Sequence, residues 1–363
     1  MNTKYTIIIA LVAIVIIAGA IVAYTYSPAE SVTLTGAGAS FPFPLLDEMM
    51  KEYYNKVRPN VEVNYNPSGS GAGISALTDK TVDFAGSDAP LSASEAEKAP
   101  NVLHIPETIG SIAVTYNING ISSGLKLTGQ VVADIFQGKI TKWNDPAITK
   151  LNPDVTLPSE TITVVRRSDS SGTTFIFTGY LSESSSSWKN SIGQAKTVEW
   201  PTGVGSQGNT GVAQTVSTTP NAIGYVELAY ALQTGMTYAA IQNPSGNYVM
   251  PTLESTTAAA QARASSGLPN GAESWSSVNL LNANDANAYP IVGFSYLMVY
   301  KELNVIPGMT QASADELVDF LWYVVHNGQN LANKIDYATL PSNVVAINSA
   351  TIESITFNGQ RVR

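Results

Sequence analysis

Two adjacent arginines, followed by hydroxyl side chains and a glycine, form the segment of this chain best suited to chemistry. Arg166 and Arg167 end a β-branched stretch, and residues 168–174 (SDSSGTT) precede an apolar run. This order predicts a strand, a small polar loop and the start of a helix. Unpaired N–H groups and the positive dipole end at a helix N-terminus favour a bound anion, and arginine adds a planar set of donors. An ordinary helix cap with surface arginines fits this segment equally well.

Two further segments share the design and favour the anion site. Residues 36–42 (GAGASFP) and 67–73 (PSGSGAG) each follow a predicted strand and precede a predicted helix. Three converging helix N-termini would surround a small tetrahedral anion with hydroxyls and backbone donors. Arg167 would supply the formal positive charge, and Asp169 would hold its guanidinium in register.

Asp88 adds selectivity to this hypothesis. It follows the predicted strand at residues 82–85, at a strand end where ligands collect in open α/β sheets. A carboxylate repels a bound anion unless the anion has a proton to donate. Singly and doubly protonated phosphate have one, whereas sulfate at neutral pH does not. The sequence therefore favours phosphate over sulfate, although an aspartate before Ala-Pro is also a common turn residue.

Composition limits the possible partners. The 363 residues include 44% hydrophobic and 13% charged residues, which is typical of a globular α/β protein, and the length predicts two lobes. A net charge of −9 argues against nucleic acid as a partner, because no basic patch is available to neutralise phosphates. The chain has no cysteine, which excludes disulfides, thiolate metal sites and a lipidated N-terminal cysteine.

The N-terminus predicts export. Residues 6–23 are almost wholly apolar, which predicts a transmembrane or signal helix, with Lys4 before it on the cytoplasmic side. Residues 1–31 are thus assigned to an anchor or cleaved signal with its linker. The remaining chain is expected on the outer face of the cytoplasmic membrane, either anchored or released after cleavage.

Hydrophobic patterns predict an alternating α/β chain. They include separate strands at residues 103–105 and 111–116, a buried strand at 291–300 and a helix at 316–325. Residues 243–287 are polar and predict loops. The pattern of the last dozen residues predicts no definite structure.

An enzyme is the main alternative class. No Gly-x-Ser-x-Gly elbow occurs, and the two histidines are explained by packing for His104 and by the end of a helix for His326. No cluster has the spacing of a metal site, and no Walker A motif is present. We therefore expect no catalysis, no metal and no cofactor.

The chain resembles the phosphate-binding proteins of phosphate-specific ABC importers, a family with the periplasmic-binding-protein fold. The resemblance extends from about residue 32 to about residue 345. It is carried in order by residues 34–42, 82–91, 138–143, 164–173, 222–227 and 336–341. It implies an α/β fold of two lobes with a ligand cleft between them: residues 32–113 with 288–363 in the first, and 114–287 in the second.

The resemblance also implies the contacts to phosphate. The implied phosphate-binding residues are Ser40, Phe41, Ser70, Asp88, Arg167, Ser171, Gly172 and Thr173, with Asp169 supporting Arg167. Phe41 and Gly172 would contribute backbone N–H groups, and Asp88 would accept the proton of the phosphate. Ser40 is a departure, since the family usually has threonine there; the hydroxyl donor is retained, and we expect little effect.

The implied function is delivery of inorganic phosphate to the permease subunits of an ABC importer in the membrane, by a protein expected to be a monomer. Other oxyanions remain as alternatives on the same fold. Arsenate is nearly isosteric with phosphate and is also protonated, so the sequence does not separate the two, whereas Asp88 disfavours sulfate. A secreted phosphatase is the less favoured alternative.

Overall fold

The computed structural model describes residues 31–264 and 267–363 of the chain. Its strands are β1 Val32–Gly38, β2 Val61–Asn66, β3 Phe84–Ser87, β4 Val102–Tyr116, β5 Lys126–Leu127, β6 Thr163–Arg167, β7 Val204–Ser206, β8 Ala222–Glu227, β9 Thr237–Tyr238, β10 Ala240–Gln242, β11 Tyr248–Val249, β12 Val292–Tyr300, β13 Thr356–Phe357 and β14 Gln360–Arg361. Its α-helices are α1 Phe43–Glu52, α2 Ser70–Thr78, α3 Ala93–Lys98, α4 Gly129–Phe136, α5 Pro146–Thr149, α6 Gly172–Ser184, α7 Ser186–Ser191, α8 Gly208–Thr218, α9 Leu228–Gln233, α10 Leu253–Arg263, α11 Gln311–Val325, α12 Gln329–Ala332 and α13 Ser342–Glu353.

One long sheet joins the two lobes, with the strand order β2-β1-β3-β12-β4-β8-β6-β7 and β9 paired to β4. Nine of the first ten residues of β4 pair with β12, with Glu107 skipped, and the last five pair with β8. We call the part built on β2, β1, β3 and β12 the first lobe, and the part built on β8, β6 and β7 the second lobe. Strands β4 and β12 are buried along their whole length, in keeping with their central positions in the sheet.

The topology brings three helix starts to the cleft between the lobes. Strands β1 and β2 are parallel and lead into α1 and α2, and in the second lobe β6 leads into α6. In open α/β sheets, loops at the carboxyl ends of parallel strands line the ligand crevice. The helix starts predicted from the three glycine- and serine-containing loops are confirmed.

The second lobe is held rigid behind these loops by aromatic packing. Phe177 of α6 stacks on Tyr225 of β8, with ring centroids 4.1 Å apart, and contacts Phe136 of α4 edge-to-face at 4.9 Å. All three rings are fully buried. Burial of such rings stabilises by roughly 1.5–3 kcal/mol each, so α6 is firmly positioned against the sheet.

Several sequence predictions need correction. Residues 103–105 and 111–116 do not form two strands but belong to the single strand β4, because the polar residues Glu107 and Thr108 between them are buried within the strand. Residues 243–287 were expected to be loops, yet they contain α10, which begins with a capping box at Thr252. The C-terminal residues form the hairpin of β13 and β14.

The predicted N-terminal transmembrane or signal helix falls in residues 1–30, outside the described residues. Across residues 31–264 and 267–363, no helix combines the length and the apolar character needed to cross a bilayer.

Candidate functional site

The start of α6 lies at the centre of the predicted anion site. Ser171 is the N-cap residue, and its Oγ accepts a hydrogen bond from the Thr174 N–H at 3.1 Å. This cap uses the Ser171 hydroxyl oxygen as an acceptor and leaves its proton free to donate. Arg167, the last residue of β6, lies beside this helix start with only 2% of its surface exposed.

Arg167 is held rigidly by its neighbours. Its Nε donates to Asp169 Oδ1 at 2.7 Å, its Nη2 pairs with Asp169 Oδ2, and its Nη1 donates to Thr173 Oγ1 at 3.3 Å. Burial acts to raise the pKa of Asp169, but hydrogen bonds and charge from Arg167 outweigh it and hold that pKa below its ordinary value. Asp169 is therefore ionised at neutral pH, and it keeps the guanidinium in one orientation.

Ser70, at the start of α2, meets the same helix start from the first lobe. Its Oγ accepts hydrogen bonds from the N–H groups of Gly172 at 3.0 Å and Asp88 at 3.3 Å. Since a hydroxyl accepting two bonds still has one proton, Ser70 remains a donor. The two lobes touch here: a Cβ on Gly172 would lie 2.5 Å from the Asp88 Cβ and 2.6 Å from Ser70 Oγ.

We expect Gly172→Ala to lower phosphate affinity by about 100-fold, because the added methyl group would push the lobes apart at the site and displace donors by roughly 1 Å. The measurement is isothermal titration calorimetry with phosphate, with a thermal melt to check folding. Gly211→Ala is the matched control, since its Cβ would lie in ordinary contact, 3.6 Å from the Ser206 Cβ. Equal affinities for the two variants would contradict close contact of the lobes in the bound state.

Asp88 is the carboxylate that faces this group. It is only 3% exposed, its Oδ1 accepts from Ser295 Oγ at 2.9 Å, and its Oδ2 lies 3.4 Å from Thr173 Oγ1. Burial raises the pKa of Asp88 to about 7, although hydrogen bonds from Ser295 and Thr173 and the charge of Arg167 act to lower it. The carboxylate is thus an acceptor at slightly alkaline pH and takes up a proton readily in acid.

Asn209 connects the first loop to this network and was missed by sequence reasoning. Its backbone N–H and its Nδ2 each donate to Ser40 Oγ at 3.1 Å, and Nδ2 also lies 3.2 Å from Thr173 Oγ1. Asn209 is the second residue of α8 and falls in the glycine-rich segment at residues 203–211, whose glycines indicate close approach of the backbone to a neighbour. That signal marks the loop but does not single out its asparagine.

The ring of Phe41 is buried in the core, so only the backbone of this residue can face the network. The Tyr337 hydroxyl donates to the Phe41 carbonyl at 2.6 Å and lies 3.0 Å from Glu227 Oε2. Burial raises the pKa of Glu227 well above its ordinary value, which favours the neutral form of this carboxyl, although hydrogen bonds from Tyr337 and Ala229 act to lower it. Tyr337 and Glu227 thereby hold the first loop in place from outside the predicted site.

An ion pair links the lobes at the edge of the cleft. Lys196 Nζ lies 2.7 Å from both carboxylate oxygens of Glu95, and the Lys196 carbonyl accepts from the Ser171 N–H at 2.9 Å. Glu95 is also fixed by the capping box of α3, with Ser92 as N-cap. The pair therefore connects α3 of the first lobe to the start of α6 in the second.

We expect Lys196→Met to lower phosphate affinity by about 2- to 5-fold. The pair is partly exposed, and such pairs contribute roughly 1 kcal/mol or less. A faster dissociation rate, measured by stopped-flow, would show that the pair stabilises the closed lobes. Lys189→Met, on the exposed face of α7, serves as the control. Unchanged dissociation in Lys196→Met would contradict this role.

The histidines and any cluster of metal-ligating side chains are the features that would matter for an enzyme or a metal site. His104 is buried, its Nε2 accepts from the Leu91 N–H at 3.1 Å, and burial lowers the pKa of His104 to about 4. It is a packed core residue, as predicted. In the described part of the chain, no group of three or more metal-ligating side chains is close enough to hold an ion.

Of the predicted residues, a connected hydrogen-bond network joins Ser40, Ser70, Asp88, Arg167, Asp169, Gly172 and Thr173. Ser171 adjoins it as the helix cap, and Phe41 follows Ser40 in the chain. The network has donors from both lobes, one guanidinium and two carboxylates. Asp169 is paired with the guanidinium and Asp88 is not, which suits a small oxyanion that carries a proton.

Comparison with known proteins identifies the family. The PBP superfamily domain matches residues 25–327. The phosphate-binding protein PstS of Xylella fastidiosa (strain Temecula1) is 42% identical over 317 residues, covering 87% of this chain and 84% of the relative. The chain belongs to the PstS family. The PstS protein of Methanocaldococcus jannaschii is 38% identical over 341 residues, covering 90% of this chain and 87% of the relative.

Solved structures support the fold of this PstS family member. A periplasmic phosphate-binding protein, PfluDING, with bound phosphate has a TM-score of 0.67 at 21% identity, covering 88% of this chain and 93% of the other. The phosphate-binding protein of Stenotrophomonas maltophilia has a TM-score of 0.63 at 19% identity, covering 87% and 93%. The predicted two-lobed α/β periplasmic-binding-protein fold is confirmed.

Proposed function

We propose that this protein captures inorganic phosphate between its lobes and delivers it to an ABC importer. The observation that carries the proposal is the position of Asp88, a buried acceptor within a network of donors from both lobes. An anion held there needs a proton for Asp88 and several oxygens for the donors. Protonated phosphate meets both needs, and the names of the relatives agree with this choice.

The phosphate contacts that we propose are those implied by the family resemblance. Hydroxyl and backbone donors would come from Ser40, Phe41, Ser70, Ser171, Gly172 and Thr173, with the ionic contact from Arg167 and the proton acceptor Asp88. Asp169 would support Arg167. Several of these groups now hydrogen-bond one another at 3.0–3.4 Å, so modest rotations would turn them towards an anion.

Charge balance favours a site of this kind. Arg167 and Asp169 form a nearly neutral pair, and the protein as a whole carries a net charge of −9. Long-range attraction therefore cannot supply affinity for an anion. Affinity must come from short, dehydrated hydrogen bonds, which are stronger in a buried site than in water and respond little to salt.

We further propose that residues 32–113 with 288–363 form the first lobe and residues 114–287 the second. The change of partner in β4, from β12 to β8, falls between Ser111 and Ile112 and supports the first boundary. Within residues 114–287, the segment near Gly271 reaches back to the first lobe. The Gly271 carbonyl accepts from the His104 N–H, and the Gly271 N–H donates to Thr351 Oγ1. Hinge motion at β4 and β12 would open the cleft.

Delivery requires membrane partners. We propose permease subunits of an ABC importer as the partners, a monomeric binding protein, and a location outside the cytoplasmic membrane, with residues 1–31 as anchor or signal. The relatives are named as phosphate-binding proteins and the similar structure of PfluDING is named as periplasmic, which supports a role outside the cytoplasm. Closure around phosphate would present a joined surface of both lobes to the permease, and ligand would favour closure by its differential affinity for that state.

Calorimetric titration with phosphate and then sulfate, at pH 8, where Asp88 is mostly ionised, and at two salt concentrations, tests the proposal. We expect tight phosphate binding, little dependence on salt and no heat with sulfate. Arsenate as a competitor would bind at the same site, since it too carries a proton. Equal binding of sulfate and phosphate would overturn the assignment of phosphate, and absence of binding would overturn the function.

A further inference from the structure

A second buried carboxyl group, Glu107, lies behind Asp88. Ser295 Oγ stands between the two, 2.9 Å from Asp88 Oδ1 and 3.2 Å from Glu107 Oε1. Glu107 is only 2% exposed, and Ser295 is completely buried. A buried carboxyl without a cationic partner is costly unless it is neutral or well hydrogen-bonded, so this arrangement calls for a role.

A β-bulge brings Glu107 to this position. In the ladder between β4 and β12, Ser295 pairs with Thr108 and the next residue, Tyr296, pairs with Pro106, so the register skips Glu107. In a regular ladder Ser295 would share a face with Thr108, and Glu107 would point to the other side. The bulge turns Glu107 towards Ser295, and its carbonyl is fixed by Gln329 Nε2 at 3.0 Å.

Counting protons gives the direction of these bonds. The Ser295 hydroxyl has one proton and can donate to only one carboxyl. The other carboxyl group must then be protonated and donate to Ser295 Oγ. Otherwise Ser295 Oγ and an oxygen of that carboxyl would lie within 3.2 Å of each other with no proton between them. The charge of Arg167 favours the ionised form of Asp88, whereas Glu107 has Asp88 as its charged neighbour. The proton therefore resides on Glu107.

We propose that Glu107 is a positioning and specificity residue for phosphate: in its neutral form it donates to Ser295, which donates to Asp88 and leaves Asp88 Oδ2 free to accept the proton of the ligand. This inference rests on the proposed function. Loss of the Glu107 proton would turn the Ser295 hydroxyl away from Asp88 and add a negative charge behind the anion. Glu107 thus sets the upper pH limit of phosphate capture.

The surroundings agree with this assignment. Burial raises the pKa of Glu107 to about 8, with the charge of Asp88 adding to the rise and the bond from Ser295 opposing it. The other titratable groups that interact with the pair include Tyr65, Tyr230, Tyr296 and Tyr337, and burial raises the pKa of each of them. Burial also raises the pKa of Glu227, the last residue of β8, well above its ordinary value. Glu107 is therefore neutral at pH 7 and ionised well above pH 8.

The test compares phosphate affinity from pH 6.5 to 9.5 in the wild type and in Glu107→Gln, whose amide donates to Ser295 at every pH. The titration of phosphate itself is common to both proteins. We expect similar affinities at pH 7 and a loss at pH 9.5 that is about 10-fold larger in the wild type. At pH 8.5, calorimetry in buffers of different ionisation enthalpy should show extra proton uptake on binding in the wild type only.

Glu62→Gln, on the exposed side of β2, is the control and should retain the wild-type profile. Superimposable profiles and proton uptake for the wild type and Glu107→Gln would overturn the inference. Absence of phosphate binding by the wild type at pH 7 would instead refute the proposed function. If Glu107→Gln fails to fold, Ser295→Ala decides: about 10-fold weaker binding at pH 7 supports the relay, and unchanged binding at pH 7 overturns it.

Discussion

Arg167→Ala is expected to weaken phosphate binding by about three orders of magnitude while the protein remains folded. The substitution removes the cationic donor of the network and also leaves the Asp169 carboxylate unpaired beside the anion. Truncating one partner of a buried, hydrogen-bonded charge pair costs about 2–5 kcal/mol, which corresponds to roughly 30- to 5,000-fold in affinity. Repulsion from Asp169 places the expected effect in the upper part of that range. Calorimetric titration with phosphate measures it.

The neighbouring Arg166 is the matched control. Its Nη1 donates to the Arg167 carbonyl at 3.3 Å, and its side chain is half-buried outside the network. Arg166→Ala should therefore bind phosphate within about 3-fold of the wild type. A double variant, Arg167→Ala with Asp169→Ala, should recover part of the affinity, because the unpaired carboxylate is gone. Wild-type affinity in Arg167→Ala would show that another cation binds the anion.

Asp88→Asn is expected to reduce the preference for phosphate over sulfate by about 100-fold. Asparagine keeps the shape of aspartate, but its amide can donate to a sulfate oxygen and carries no charge. A buried acceptor facing an unprotonated oxygen costs roughly 1–3 kcal/mol, and charge repulsion adds to it, so removing both penalties favours sulfate. The ratio of the two Kd values at pH 8 measures the effect, with Asp79→Asn, an exposed residue of the first lobe, as control.

The pKa of Asp88 adds a prediction for the wild type. With that pKa at about 7, Asp88 is mostly ionised at pH 8 and mostly protonated at pH 6. Protonated Asp88 can donate to sulfate, so wild-type sulfate affinity should rise as pH falls from 8 to 6. Asp88→Asn should show no such rise. Two results would contradict the claim that Asp88 selects phosphate by accepting its proton. One is a wild-type sulfate affinity that does not depend on pH, and the other is an Asp88→Asn variant that still rejects sulfate.

Much of this protein could be predicted from local sequence. The strand, glycine–serine loop and helix start recur at Ser40, Ser70 and Ser171, and each depends on short-range rules of capping and backbone freedom. The charge pair of Arg167 and Asp169 is likewise local, since its members are two positions apart in the chain. That these residues bind phosphate stays a prediction, but their hydrogen-bonded proximity was indicated by the sequence.

The tertiary structure determined the hydrogen bonds between residues that are far apart in the chain. Asn209 lies 169 residues from Ser40, and Ser295 lies 207 residues from Asp88. No local pattern selects such pairs, because they depend on which strands become neighbours in the sheet. The bulge that aims Glu107 and the continuity of β4 through both lobes are also properties of the ladder with β12. Hydrophobic periodicity in the sequence indicates which side chains are buried. Strand register determines which buried polar groups lie next to each other, and register exists only once the strands have paired in the folded sheet.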